Sequence, residues 1–144
     1  MSVKTKLFTA AVALILSTLA HATGPWLTDY DAAVAIAKKQ NKPLLVEFTG
    51  SDWCHWCKVL DREVLSQRSF ISKAKKDYVL VKIDFPQSNP LPAAQAQKNE
   101  ALAKKFRVRG FPTVLVLSPK GKEIQRTGYQ EGGAKSYLQH LKRS

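Results

Sequence analysis

The chain has 144 residues, with 23 Lys and Arg against 11 Asp and Glu and only two cysteines. That length suits one domain with at most a small appendage, large enough to bury a core without covalent staples. A net charge of +12 reads first as a solvated basic surface and second as attraction to anionic membranes or acidic clients; without interleaved aromatic and basic positions, no nucleic-acid partner is expected.

In chain order, Lys4 and Lys6 precede the apolar run Leu7 to Leu19, and Ala20-His21-Ala22 has the small–x–small form of a signal-peptidase site. The run falls short of the about 20 residues a membrane span needs. Residues 1–22 are therefore read as a cleaved signal peptide, with a retained signal anchor as the alternative. Residues 23–144 form the mature domain, expected in the periplasm and free of the membrane once cleaved. Removing Lys4 and Lys6 leaves 21 basic against 11 acidic residues, still strongly basic.

Thr28 or Asp29 caps a predicted helix with Tyr30, Ala33, Val34 and Ala37 on one face, ended by Asn41-Lys42-Pro43. Leu44 to Thr49 is a short apolar strand, and Gly50-Ser51-Asp52 is the turn after it. A helical pattern with Cys57, Leu60 and Val64 on one face starts at Cys54 and runs irregularly through Phe70 and Ile71. Tyr78 to Phe85 reads as an interior strand, followed by a proline-rich loop over residues 86–92. A helix over about Ala93 to Phe106 leads to a strand from Phe111 to Leu117, a turn at Ser118-Pro119-Lys120-Gly121, and a polar edge strand from Lys122 to Thr127. Gly132-Gly133 precedes a final helix with Ala134, Tyr137, Leu138 and Leu141 on one face. The order αβαβαββα predicts an α/β domain: a central mixed four-stranded sheet, parallel where helices cross over and antiparallel at the final hairpin, with helices on both faces.

Cys54 and Cys57 stand in the run GSDWCHWCKVLDREV, residues 50–64. A bridge between them closes almost no chain, so it would hardly stabilise the fold. Structural zinc needs four ligands, and the mature chain offers only Cys54, Cys57, His55 and His140. Haem attachment needs histidine directly after the second cysteine, where Lys58 stands. A CxxC at a strand-to-helix junction fits redox exchange instead. Cys54 at the helix start would be the exposed, readily ionised nucleophile, and Cys57, one turn on, the shielded resolving thiol. The pair is thus its own redox centre, with no cofactor and no metal expected. Strand alternation leaves Glu47 partly buried under a sheet covered on both faces, or else at the surface near the strand end. His55 favours a Cys54 thiolate if it is charged and near, or does little if it points to solvent. Trp53 and Trp56 read as a rim that contacts clients.

Phe48 to Val64, Val81 to Gln87, Gly110-Phe111-Pro112-Thr113 and Gly132-Gly133 together resemble the thioredoxin superfamily, and within it the DsbH-type periplasmic thiol–disulfide reductases. The resemblance implies a cis-proline at Pro112 facing the cysteines, with the Phe111 backbone presented to the client. It also implies a proton-accepting role for Glu47, the match to a buried acid in the strand before the motif. The turn Gly50-Ser51-Asp52 is one residue longer than in ordinary thioredoxin, and the superfamily's first strand has no clear counterpart, leaving room only for a short fifth strand near Trp26. As partners the resemblance implies exported proteins with cysteines and a membrane electron donor of the DsbD type. A monomer is expected, because the chain lacks the added dimerisation region of an isomerase. Three functions stay open: reductase or isomerase of exported disulfides, oxidase of the same fold, and redox-inactive binding module.

Overall fold

The computed structural model describes residues 24–143. The predicted signal peptide, residues 1–22, lies outside the described residues, as does the start of the mature chain at Thr23.

Five helices and four strands follow one another: α1 (Tyr30–Gln40), β1 (Leu44–Thr49), α2 (His55–Leu60), a π-helical turn (Asp61–Leu65), α3 (Arg68–Asp77), β2 (Val79–Asp84), α4 (Ala93–Lys105), β3 (Thr113–Leu117), β4 (Glu123–Thr127) and α5 (Gly133–Leu141). The sheet order is β2-β1-β3-β4. β1 runs parallel to β2, with Glu47 beside Lys82, and antiparallel to β3, with Glu47 beside Val114. The β3–β4 hairpin supplies the antiparallel edge. The mixed four-stranded sheet is as the sequence predicts.

Local chemistry explains the element ends. Asp29, not Thr28, caps α1: its carboxylate accepts the Ala32 N–H at 3.0 Å. Asn41 closes the helix in the left-handed conformation, φ 49°, which a short amide side chain tolerates well. Three features differ from the sequence reading by more than a residue at an element's end. The helix after Cys54 is not one irregular helix but two, because the backbone widens into the π turn at Asp61–Leu65 before α3 restarts at Arg68. Phe111 and Pro112, joined by a cis bond, lie outside β3, since proline has no N–H to give a ladder. Near Trp26 there is only a single parallel bridge, Leu27 to Val81, rather than a fifth strand.

All six residues of β1 are buried, as a central strand covered on both faces requires. Alternation deals its side chains to two cores. Leu44, Val46 and Phe48 pack with Tyr30, Ala33, Ala37 and Phe106, under α1 and α4. Leu45 joins Leu60, Val64, Leu65, Phe70, Tyr137 and Leu138, under α2, α3 and α5. Glu47 shares the parity of Leu45 and so faces the second layer, which carries the cysteines.

Candidate active site

At the C-terminal end of β1 the chain folds back in a tight turn, with the Cys54 N–H donating to the Gly50 carbonyl at 2.9 Å. Cys54 is the N-cap of α2, in extended geometry, and its Sγ accepts the Cys57 N–H at 3.3 Å. A sulfur thus occupies the place of the usual capping oxygen. Cys57 lies one turn on, its Sγ accepting the Gly50 N–H at 3.4 Å, and the two cysteines are joined as a disulfide. Cys54 is 8% exposed and Cys57 1%. The order of exposure is the predicted one, although Cys54 is itself mostly buried.

The longer turn is held from β2. Asp84 accepts the Ser51 N–H at 3.0 Å and the Ser51 hydroxyl at 2.6 Å. Asp52 accepts the Gln87 N–H at 3.0 Å and the Ser88 N–H at 2.6 Å. These backbone donors hold the Asp52 carboxyl below its ordinary pKa, so it stays charged. The Trp53 indole donates to the Phe85 carbonyl at 2.8 Å and lies against Gly50, where a Cβ would sit 2.4 Å from the ring. Gly50 is therefore required by close approach, a signal the sequence shows only as a turn glycine.

Glu47 is fully buried, beyond the partial burial expected, and neither carboxylate oxygen has a hydrogen-bond partner. Its nearest cation, the Lys82 ammonium, stands 3.8 Å away and is closer to Asp61, at 3.1 Å. Burial pushes the Glu47 pKa up to about 7, with Lys82 opposing and Asp61 reinforcing. A cavity of about 150 Å³ lined by Thr49, Ser51, Cys57, Lys58, Asp61 and Lys82 puts Asp61 and Lys82 on the same wall as the inner cysteine, with Glu47 buried behind them. Lys82 and Asp61 escaped the sequence reading. Lys82 was legible only as a strand residue, and Asp61 reaches it through the π turn.

Two aromatic banks flank the disulfide. On one side Trp53 meets Phe111 edge-on, ring centroids 5.8 Å apart, and Phe111 packs on Phe85 at 5.1 Å. On the other Trp56 lies over Tyr129 at 5.1 Å, and the Tyr129 hydroxyl donates to Glu63 at 2.7 Å. Trp53 and Trp56 remain 42% and 54% exposed. His55 is exposed and packs edge-on against Trp56. Tyr129 was not among the predicted site residues; it sits in an irregular segment between β4 and α5, where no periodicity marks it. The Phe111–Pro112 bond is cis, as the resemblance implied. Among the described residues no group of three or more His, Cys, Asp or Glu side chains is placed to hold a metal ion.

A disulfide across the first turn of a helix, set at the end of a central strand beside a cis-proline loop, defines a dithiol–disulfide centre on a thioredoxin-type fold. Comparison with known proteins agrees. A thioredoxin-like domain family matches residues 30–143. Disulfide bond reductase DsbH of Chlamydia pneumoniae is 36% identical over 113 residues, which are 78% of this chain and 68% of that protein. Thiol:disulfide interchange protein DsbD 1 of Pseudomonas aeruginosa is 34% identical over 93 residues, 65% of this chain, but only 14% of that much longer protein. A solved structure described as DsbH oxidoreductase superposes with a TM-score of 0.78 at 32% identity, covering 92% of each chain. The chain belongs to the thioredoxin-like family and within it is of the DsbH type.

Proposed function

We propose that this DsbH-type thiol–disulfide oxidoreductase works as a reductase of disulfides in exported proteins. The observation that carries the reading is the Cys54–Cys57 pair at the N-cap of α2, backed by a buried, unpartnered carboxylate at Glu47. In the reduced protein Cys54 acts as thiolate, supported by the unpaired N–H groups of the helix start. It attacks one sulfur of the client disulfide; the S–S bond breaks and the other client sulfur leaves as thiolate. Cys57 then loses its proton and attacks Cys54, releasing the second client thiolate and closing the Cys54–Cys57 disulfide. Two electrons pass from the dithiol to the client, so an external dithiol must restore the protein. A membrane electron donor resembling DsbD suits that task.

Glu47 is the acceptor for the Cys57 proton: a carboxyl with a pKa near 7 can take and return a proton at neutral pH. The rim formed by Trp53, Trp56 and Phe111 receives the client chain, with Pro112 shaping the loop beneath it, and His55 borders the rim. Cleavage of residues 1–22 as a signal peptide would release the domain into the periplasm, to act there as a monomer.

Direction follows from the charges. The negative charges of Asp52 and, when ionised, Glu47 oppose a second anion at the cysteines, and the tryptophans add apolar surroundings. Together these offset the helix start, Lys58 and His55. The reduction potential should fall between about −200 and −270 mV, well below the roughly −120 mV of a strong oxidase. Equilibration with glutathione buffers, followed by tryptophan fluorescence, measures it; a value near −120 mV would make the protein an oxidase. Cys57→Ala should accumulate mixed disulfides through Cys54, and Cys54→Ala should not. If neither variant traps a client and wild type fails to reduce insulin, the chain is a binding module.

A further inference from the structure

Residues 103–113, AKKFRVRGFPT, carry four cations and no acid and run directly into the Phe111–Pro112 loop. Where this segment meets β4 there is an open concavity of about 450 Å³ lined by Arg107, Arg109, Gly110, Thr113 and Arg126. Its three guanidinium groups are not equivalent. Arg126 is committed: it donates to both oxygens of Glu123 and to the Phe106 carbonyl. Arg107 and Arg109 are exposed, and neither forms an ion pair among the described residues. With Glu123 neutralising Arg126, the concavity keeps two uncompensated positive charges.

The backbone under Arg107 adds an independent observation. Arg107 closes α4 in the left-handed conformation, φ 52°, with its N–H bonded to Lys104 and the Val108 N–H to Ala103. This is the helix-ending arrangement that glycine fills most easily and that a long side chain fills poorly. The turn thus needs no side chain at 107, yet it projects a guanidinium beside Arg109.

We propose that Arg107 and Arg109 form a docking site for an acidic segment of the client, engaging Asp or Glu side chains close to the cysteine being exchanged. The proposal rests on the reductase reading above and adds a client preference to it. Arginine matches a carboxylate through paired N–H donors. Its position suits a client chain already lying along the loop, because Arg109 is two residues from Phe111 and so within about 7 Å along the backbone. Charges at such a rim act mainly on the encounter rate and lose their effect as salt rises.

The test uses two disulfide-looped model peptides, alike except that Asp and Glu flank the cysteines of one and Lys those of the other. Their rates of reduction by the dithiol protein are compared at low salt. Wild type should favour the acidic peptide, and Arg107→Gly with Arg109→Gln should cut that preference about fivefold, within the range expected from two exposed charge pairs. Arg107→Gly suits the left-handed turn, so thermal stability should not fall. A control removes the same charge at the far end of β3, through Lys120→Gln with Lys122→Gln; it should change the preference less than about twofold. The preference should also fade near 0.5 M salt. Equal loss in the control would assign the effect to the overall charge and overturn the site. So would an unchanged preference in the arginine variant, including the case where that variant instead loses binding to phosphatidylglycerol vesicles. If no form reduces either peptide, it is the reductase reading that fails.

Discussion

A single buried carboxylate dominates the residue scale. Glu47 is ionised in the unfolded chain above about pH 4.5, but inside the fold it holds its proton up to about pH 7. The folded state then binds more protons than the unfolded state across that window, so this group makes stability fall as pH rises from about 4.5 to 7. Below the window the effect vanishes; above it the full penalty, on the order of 3 kcal/mol, is present. Glu47→Gln should therefore stabilise the oxidised protein progressively from pH 5 to 8, as urea unfolding measures, while slowing the resolving step by removing its proposed proton acceptor. A gap between variant and wild type that does not widen with pH would contradict this. Gly50 is the second residue-scale control. Gly50→Ala places a methyl group within the Trp53 ring, so the indole must leave the Phe85 carbonyl. Trp53 fluorescence should shift and client reduction should weaken, with the disulfide still able to form.

At the scale of elements, the π-helical turn after α2 matters most. It brings Asp61 within 3.1 Å of the Lys82 ammonium, drawing that charge away from Glu47. π turns inside α-helices recur at functional sites because the extra residue re-aims side chains. Asp61→Asn should release Lys82 toward Glu47 and also remove a negative neighbour. Both changes lower the Glu47 pKa. The pH profile of the resolving step should then move to lower pH, and carbon-13 titration of Glu47 should move with it. An unmoved profile would show that Lys82 is held by something other than Asp61. The other groups facing Glu47 leave this sign intact: Asp84 of β2 raises its pKa, and the buried hydroxyl of Tyr137 on α5 titrates far above neutrality.

For the whole molecule, the sheet separates two cores, and the site sits at one end of it. Leu117, at the far end of β3, is fully buried beside Leu44 in the layer under α1 and α4. Leu117→Ala should cost about 2–5 kcal/mol through lost packing and the cavity left behind. Client reduction at low temperature should stay near the wild-type rate, because β1 and α2 anchor the cysteines from the opposite layer. Stability and activity would then respond separately, as denaturant unfolding and insulin reduction on one variant would show. Tyr137 ties that opposite layer to the rim, donating from its buried hydroxyl to the Gly128 carbonyl at 2.8 Å, next to Tyr129.

Local pattern by itself determined the fold class, the strand positions and the cysteine pair. Apolar periodicity and turn residues act over a few positions, and a CxxC at a strand-to-helix junction is a local feature. Glu47 was legible as a position, but its complete burial and missing partners depend on what α2, α3 and α5 lay over β1. The grouping of Glu47, Lys82 and Asp61, the Trp56–Tyr129 bank and the concavity at Arg107 and Arg109 could come only from the tertiary structure. Each joins residues between about 14 and 73 positions apart, or, for the arginines, sets two neighbours against a strand nearly 20 residues on. Such distances are closed by sheet register and helix packing, which no short window of sequence contains.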